Sequence, residues 1–204
     1  MNLLKDIHEG ETGIILGNGK SLESLPVGLL RLPSFGCNLI NRLFSVYLTY
    51  YTCIDTELLT KYQWEISLNA ARCDYAFLNS MYAEGSSRFM YPLDRMKGDY
   101  FFPGIQPNWG GSVTYVNLQL AFYMGFKQVL LAGIDHDLTW EHFSDDYPVK
   151  SGKRHEQRGN INNTIERWYR VANDIYTQHD RKIINITPNT GTDAFPTGNY
   201  EDYI

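Results

Sequence analysis

The feature that most constrains this sequence is Thr12-Gly13-Ile14-Ile15-Leu16 running directly into Gly17-Asn18-Gly19-Lys20-Ser21. The apolar run is long enough for one buried strand and stops at a tight glycine pair. Glycine lets the main chain approach a ligand closely and adopt φ > 0, so such a strand end can offer backbone N–H groups to an anion. Its place near the start of the sequence fits the first strand of a nucleotide-binding α/β sheet. An ordinary strand-to-helix connection is the competing reading of the same residues.

Two familiar phosphate-binding motifs lie close and do not fit. A P-loop requires Gly, four residues, then Gly-Lys-Ser/Thr. Its first glycine would fall at Ile14, and Gly13 is one residue too early. The dinucleotide fingerprint requires a small residue three positions after the second glycine, where Leu22 stands. Pro26 also leaves little room for a helix after the turn. The segment is a glycine turn of another kind.

Bulk properties narrow the class. With 204 residues, 43% hydrophobic and 20% charged, the chain reads as a single globular domain over residues 1–204. A net charge of −5 argues against a nucleic-acid partner, whose binding face would be basic. No stretch approaches the roughly 20 apolar residues of a membrane span, and Met1 to Gly10 lacks the pattern of a signal peptide. Cys37, Cys53 and Cys73 are odd in number and lack CxxC spacing, which predicts buried, reduced thiols and a cytoplasmic location. Fifteen tyrosines and four tryptophans supply core volume first and stacking surfaces second.

Strands are predicted at Thr12 to Leu16, ending at Phe35-Gly36-Cys37, at Tyr50 to Ile54, at Tyr75 to Leu78, at Gln128 to Ala132 and at Lys182 to Ile186. Met90 to Pro107 reads as an irregular loop, and His136 to Asn160 as a long polar one. From Ser112 the chain is apolar on every helical face, which predicts a buried helix closed by Gly125. Ile165, Trp168, Tyr169, Ala172, Ile175 and Tyr176 define an amphipathic helix. The order of elements implies an α/β, Rossmann-like architecture, a mostly parallel sheet flanked by helices.

Ligands of open α/β sheets bind beyond the carboxyl ends of the strands. The residues expected there are Gly17, Asn18, Gly19 and Ser21 after the first strand, Cys37 and Asn38 after the second, and Asp55 after the third. Gly110-Gly111-Ser112 opens the buried helix, where free N–H groups favour a phosphate. Asp135 follows the next strand, and Pro188-Asn189 the last. Most of these side chains are small or amide-bearing, which suits a nucleoside and its phosphate better than a chelated metal. No metal ligands are assigned.

These motifs, in this order, resemble the bacterial sialyltransferases of the Campylobacter type, which carry Gly-Asn-Gly-Pro-Ser-Leu, Cys-Asn, a Ser-Gly helix entry, Gly-Ile-Asp and Cys-Pro-Asn-Ser. Gly110-Gly111-Ser112-Val113 and the later Gly-Phe-Lys also resemble the 6-hydroxymethylpterin diphosphokinase-like (MptE-like) domain family. The resemblance runs through short motifs from about residue 12 to 196. It implies a glycosyltransferase-like enzyme taking a CMP-type nucleotide-sugar donor and an acceptor of unassigned identity, with no resident cofactor and with room for a homo-oligomer. It further implies that Asn18 and Ser21 contact the donor phosphate and sugar, Asn38 the base or ribose, Gly111 and Ser112 the phosphate, and Asn189 the nucleoside. The alternatives are a magnesium-dependent diphosphokinase, drawing on Asp55, Asp135 and Asp137, and a nucleotide-binding module without catalysis. Lys20 departs from the sialyltransferase proline, and Cys37-Asn38-Leu39 from the acidic Asp-Gly of the pterin enzymes.

The resemblance also implies a histidine base. His142, seven residues after Asp135 and beside Glu141, Asp145 and Asp146, and His155, just before the amphipathic helix, are the candidates. Either one can equally be a surface histidine. The basic run Lys150, Lys153, Arg154 and Arg158 is a candidate phosphate-covering loop, or a solvated connection. His136-Asp137 with Asp145 and Asp146 reads as hydrated loop residues. Trp109 is a packing residue first and a base-stacking one second.

Overall fold

The central apolar runs form strands buried on both faces, as a parallel sheet with covered faces requires, and the outer ones are part-exposed. The computed structural model describes residues 2–43, 47–82, 90–94, 101, 104, 106–136, 142–143 and 155–203, without the side chains of 2, 27, 30 and 155–162. Its strands are β1 (Thr12–Leu16), β2 (Ser34–Cys37), β3 (Leu48–Cys53), β4 (Cys73–Asn79), β5 (Met90–Leu93), β6 (Gln128–Ala132) and β7 (Lys182–Asn185). All are parallel to their neighbours and form one seven-stranded sheet in the order β5-β4-β3-β2-β1-β6-β7.

That order fixes where a site can form. The chain lays β1 to β5 outward in one direction, then returns to place β6 on the other side of β1 and β7 beyond it. The helices are α1 (Thr56–Lys61), α2 (Gln63–Ala71), α3 (Val113–Tyr123) and α4 (His155–Gln178). Right-handed crossovers put helices on opposite faces when the direction of strand addition reverses. Accordingly, Ile15, Phe35, Tyr50, Phe77 and Leu131 share a core layer with residues of α3 and α4. Ile14, Leu16, Tyr51, Leu78 and Leu130 share the other with Leu22, Leu58, Leu59 and Ile66, from the turns and helices between β1 and β4. The split between neighbours such as Ile14 and Ile15 is the two-residue period of a strand. Reversal falls between β1 and β6, whose carboxyl ends therefore border the crevice of this fold.

The aromatic load goes mainly to the core. Tyr50, Tyr51, Tyr115 and Tyr176 are fully buried, and Phe35 stacks on Tyr50 with ring centroids 4.5 Å apart. The hydroxyl of Tyr176 donates to the Leu118 carbonyl at 2.7 Å and ties α4 to α3. The buried amide of Gln119 donates to the Asn108 carbonyl at 2.7 Å and accepts from the Asn108 N–H at 3.1 Å. This pair clamps the loop that enters α3. The helix ends as predicted, with Gly125 at φ +92° just past Met124.

Three expectations need correction. Met90–Leu93, expected inside a loop, is the edge strand β5, paired with β4 from Ala76↔Met90 to Asn79↔Leu93. Pro92 is tolerated because an edge strand has a side that owes no ladder hydrogen bond. Gln106 covers that edge, donating to the Pro92 carbonyl and accepting from the Asp94 N–H, both at 2.9 Å. The long loop after Asp135 is shorter than expected, since α4 already begins at His155. Cys37 and Cys53 are buried as predicted, whereas Cys73 at the entry to β4 is half-buried.

Asp55 caps α1, its carboxylate accepting from the N–H groups of Glu57 at 2.9 Å and Leu58 at 3.3 Å. Replacing it by alanine is expected to cost about 1 kcal/mol in urea denaturation, with nucleotide affinity unchanged.

Candidate functional site

The crevice begins with unusually close backbone packing. The Gly17 N–H donates to the Ala132 carbonyl at 2.8 Å and the Gly19 N–H to the Gly133 carbonyl at 3.0 Å, so the pairing of β1 with β6 continues past both strands. A side chain at position 17 would run into the Gly133 carbonyl, and one at 19 would stand 2.5 Å from the Asp135 carboxyl carbon. Glycine is required at both places by contact rather than by an unusual φ. The Asp135 carboxylate sits under the turn, accepting from the Ser21 N–H at 2.9 Å and from the Ser21 hydroxyl. Gly17, Gly19, Ser21 and Asp135 thus form one hydrogen-bonded corner.

Asn18 and Asn38 stand at the ends of adjacent strands. Asn18 is 9% exposed, and its Nδ2 donates to Cys37 Sγ at 2.9 Å. Cys37 in turn donates to the Leu16 carbonyl at 3.4 Å, and burial pushes its thiol up to about 12, so it stays protonated. Asn38 has φ +51°, the left-handed region that asparagine tolerates better than most residues. Its carbonyl accepts from the Tyr51 hydroxyl at 2.6 Å and Asn69 Nδ2 at 3.1 Å, which holds that turn. Asn18 Oδ1, Asn38 Oδ1 and Thr52 Oγ1 are buried and without a hydrogen-bond partner among the described residues. Thr52 pairs in register with Cys37. Each such atom costs about 1–3 kcal/mol, so this row is not arranged for stability alone.

The amino end of α3 approaches from the covered face, because a helix linking parallel strands runs opposite to them. Gly110 at φ +52° and Gly111 at φ +79° bring the chain around to Ser112, whose hydroxyl caps the helix by accepting from the Thr114 N–H at 3.2 Å. A side chain on Gly111 would come no nearer than 3.7 Å to Ile165, so that face of the turn is open. The Ser112 hydroxyl lies 3.1 Å from the hydroxyl of buried Tyr169 on α4. Burial raises the Tyr169 phenol, which therefore stays neutral near pH 7. Trp109 is half-buried against the core, with its indole N–H unpaired among the described residues.

His142 crosses the glycine turn. It forms an antiparallel bridge with Gly19, and its Nδ1 meets the Asn18 carbonyl at 2.9 Å. That contact makes Nδ1 the protonated nitrogen of the neutral ring. Burial lowers its pKa, opposed by the Asn18 carbonyl and the Asp135 carboxylate. The side chain of His155 lies outside the described residues, as do Lys150, Lys153, Arg154, Asp137, Asp145, Asp146 and the side chain of Arg158. Asn189 is exposed at φ +53° on the loop after β7. That loop is joined to the crevice by Thr187 Oγ1, which accepts from the Ile134 N–H at 3.0 Å, and by Thr190 Oγ1, which donates to the Ile134 carbonyl at 2.7 Å.

Sequence reading did not point to a further group beside this edge. His136 Nε2 lies 3.5 Å from Glu166 Oε2 on α4, and its ring centroid is 5.5 Å from that of Tyr169. The available signal was the i, i+3 spacing of Glu166 and Tyr169, which puts both on one helix face. Among the described residues, no group of three or more His, Cys, Asp or Glu side chains is placed to hold a metal ion. No described helix is long and apolar enough to cross a membrane.

No protein-family model matches the chain, and no curated protein matches it by sequence. Among solved structures, the sialyltransferase CST-II, determined in complex with a trisaccharide acceptor and CMP, is similar in fold. The TM-score is 0.52 at 14% identity, covering 92% of this chain and 85% of that one.

The pKa of His142 predicts a pH dependence. Its folded value lies below the ordinary 6.5, so the unfolded state binds the proton more readily. The stability held above that value is therefore lost as pH falls through the folded one. The urea midpoint of the wild type is expected to drop relative to His142→Gln as the pH is lowered from about 7.5 to 5; a constant difference would contradict the burial of His142.

Proposed function

We propose that the chain is a glycosyltransferase-like enzyme that binds a CMP-type nucleotide-sugar at the carboxyl edge of β1, β2 and β6 and transfers the sugar to a hydroxyl acceptor. The observation that carries this reading is the row of buried, unpartnered polar atoms at Asn18, Asn38 and Thr52, beside the capped amino end of α3. The unpaired Oδ1 atoms of Asn18 and Asn38 are acceptors, and Asn18 Nδ2 is already given to Cys37, so the pair suits ribose hydroxyls or the amino edge of a pyrimidine. The Ser112 N–H is already given to the Trp109 carbonyl at 3.0 Å, so the Gly111 N–H, the Ser112 hydroxyl and the positive end of the α3 dipole suit a single phosphate that carries its charge without a protein-held metal. Ser21 stays beside the donor while its own hydroxyl serves Asp135. Asn189 reaches the nucleoside from the loop after β7. The fold likeness to CST-II, which was solved with CMP, agrees with this choice of donor.

The reaction is a direct displacement at the anomeric carbon. The acceptor oxygen forms the new bond as the bond to the phosphate oxygen breaks, and CMP leaves with the electron pair. A histidine takes the acceptor proton, with His142 and His155 as the candidates from sequence. The neutral Tyr169 and Ser112 hydroxyls stand where the departing phosphate gains charge.

The diphosphokinase reading ranks second. Asp55 already caps α1 and Asp135 already holds Ser21, so two of its three carboxylates would have to leave existing partners to bind magnesium.

Thermal-shift measurements separate the readings. CMP at saturating concentration is expected to raise Tm by several degrees in the presence of a chelator, following about 2.7 kcal/mol at a hundredfold excess over Kd. Asn38→Ala should abolish the shift. Stabilisation by ATP that requires magnesium, with none by CMP, would favour the kinase instead. A pH–rate profile of His142→Ala against His155→Ala tests whether either of those two is the base.

A further inference from the structure

The described histidines differ sharply in what surrounds them. His8 lies before β1, at the far end of the sheet, joined to Tyr50 and Glu11. His179 follows α4, at the same far end, with its ring edge-on to Phe122. His142 gives Nδ1 to the Asn18 carbonyl, and burial weakens it as a base. His136 follows Asp135 at the carboxyl end of β6, with φ +46° turning the chain left-handed there. Its side chain is 12% exposed and meets the middle of α4.

The carboxylate it meets is held from both sides. Glu166 Oε2, 3.5 Å from His136 Nε2, also accepts from the Thr192 hydroxyl at 2.6 Å, while Oε1 pairs with Arg170 Nη2 at 3.1 Å. Arg170 reaches on to Asp193. One helical turn along, Tyr169 carries the contact from the His136 ring to the Ser112 hydroxyl at the start of α3. A histidine at a strand end, a carboxylate fixed by its own partners and the phosphate-favouring helix entry thus meet at one corner. The charged and titratable groups around the ring, among the described residues, are Glu166 and Tyr169 from α4, Asp135 on its own strand end, and Arg170 with Asp193 behind Glu166. The Glu166 carboxylate faces the ring directly, with Arg170 on its other oxygen.

We propose that His136 is the catalytic base of the transfer and Glu166 its positioning partner. This rests on the glycosyl-transfer reading above and takes the base role from His142 and His155, which stay as members of the site. The acceptor hydroxyl gives its proton to the His136 imidazole as its oxygen bonds to the anomeric carbon. The carbon–phosphate-oxygen bond breaks, CMP leaves with the electron pair, and the imidazolium is held beside the Glu166 carboxylate. A carboxylate at this distance in a half-dry corner stabilises the charged ring far more than it would in water.

The test is an NMR pH titration of the His136 imidazole in wild type and Glu166→Gln, with and without CMP, alongside hydrolysis of CMP-N-acetylneuraminic acid, where water serves as acceptor. The titration midpoint should move to lower pH in Glu166→Gln, CMP should displace the His136 signals, and His136→Gln should lose about 10²–10⁴-fold in kcat with CMP affinity kept within threefold. An unmoved midpoint, His136 signals blind to bound CMP, or near-wild-type turnover by His136→Gln would overturn the role. A wild type that binds no CMP would remove the parent reading and this role with it, whereas CMP binding with a midpoint indifferent to Glu166→Gln would remove this role alone.

Discussion

Everything at the carboxyl edge depends on the backbone contact between the Gly17–Gly19 turn and Gly133–Asp135. Without side chains at positions 17 and 19, the pairing of β1 with β6 extends beyond the sheet. The two strand ends that flank the point of reversal are thereby drawn into one corner. Asp135 then anchors Ser21, Asn18 is fixed between Cys37 and His142, and His136 is thrown across to α4. A larger residue at either glycine would separate the two halves of the crevice before it disturbed any candidate functional side chain.

The second feature is where the fold leaves its polar groups unsatisfied. Gln119, Asn185 and Asn69 are buried amides that spend their hydrogen bonds on loops and turns. Asn18 and Asn38 hold their turns in place yet keep Oδ1 buried and, among the described residues, unpaired. Asn117, with neither amide atom paired among the described residues, lies within α3 on the same covered face of the sheet.

Much of the architecture was legible because its strands are short, apolar and ended by glycine, asparagine or aspartate. β1 and β6 match their expected bounds, and Ser112 and Gly125 mark the two ends of α3 as read from the sequence. β5 was hidden because four residues with a proline carry too little periodicity, and only pairing with β4 makes them a strand. The corner of Gly17, Asn18, Gly19, Ser21 and Asp135 was legible from the rule that sites lie at strand ends. The His136–Glu166 contact was not, since it depends on a left-handed turn at His136 and on which face of α4 meets it. Neither is written in local spacing.

The most direct test of the account is a crystal structure of the protein soaked with CMP. The phosphate is expected at the Gly111 N–H and the Ser112 hydroxyl, with the nucleoside against Asn18 and Asn38. CMP bound elsewhere, or no CMP at concentrations that saturate a thermal shift, would contradict it.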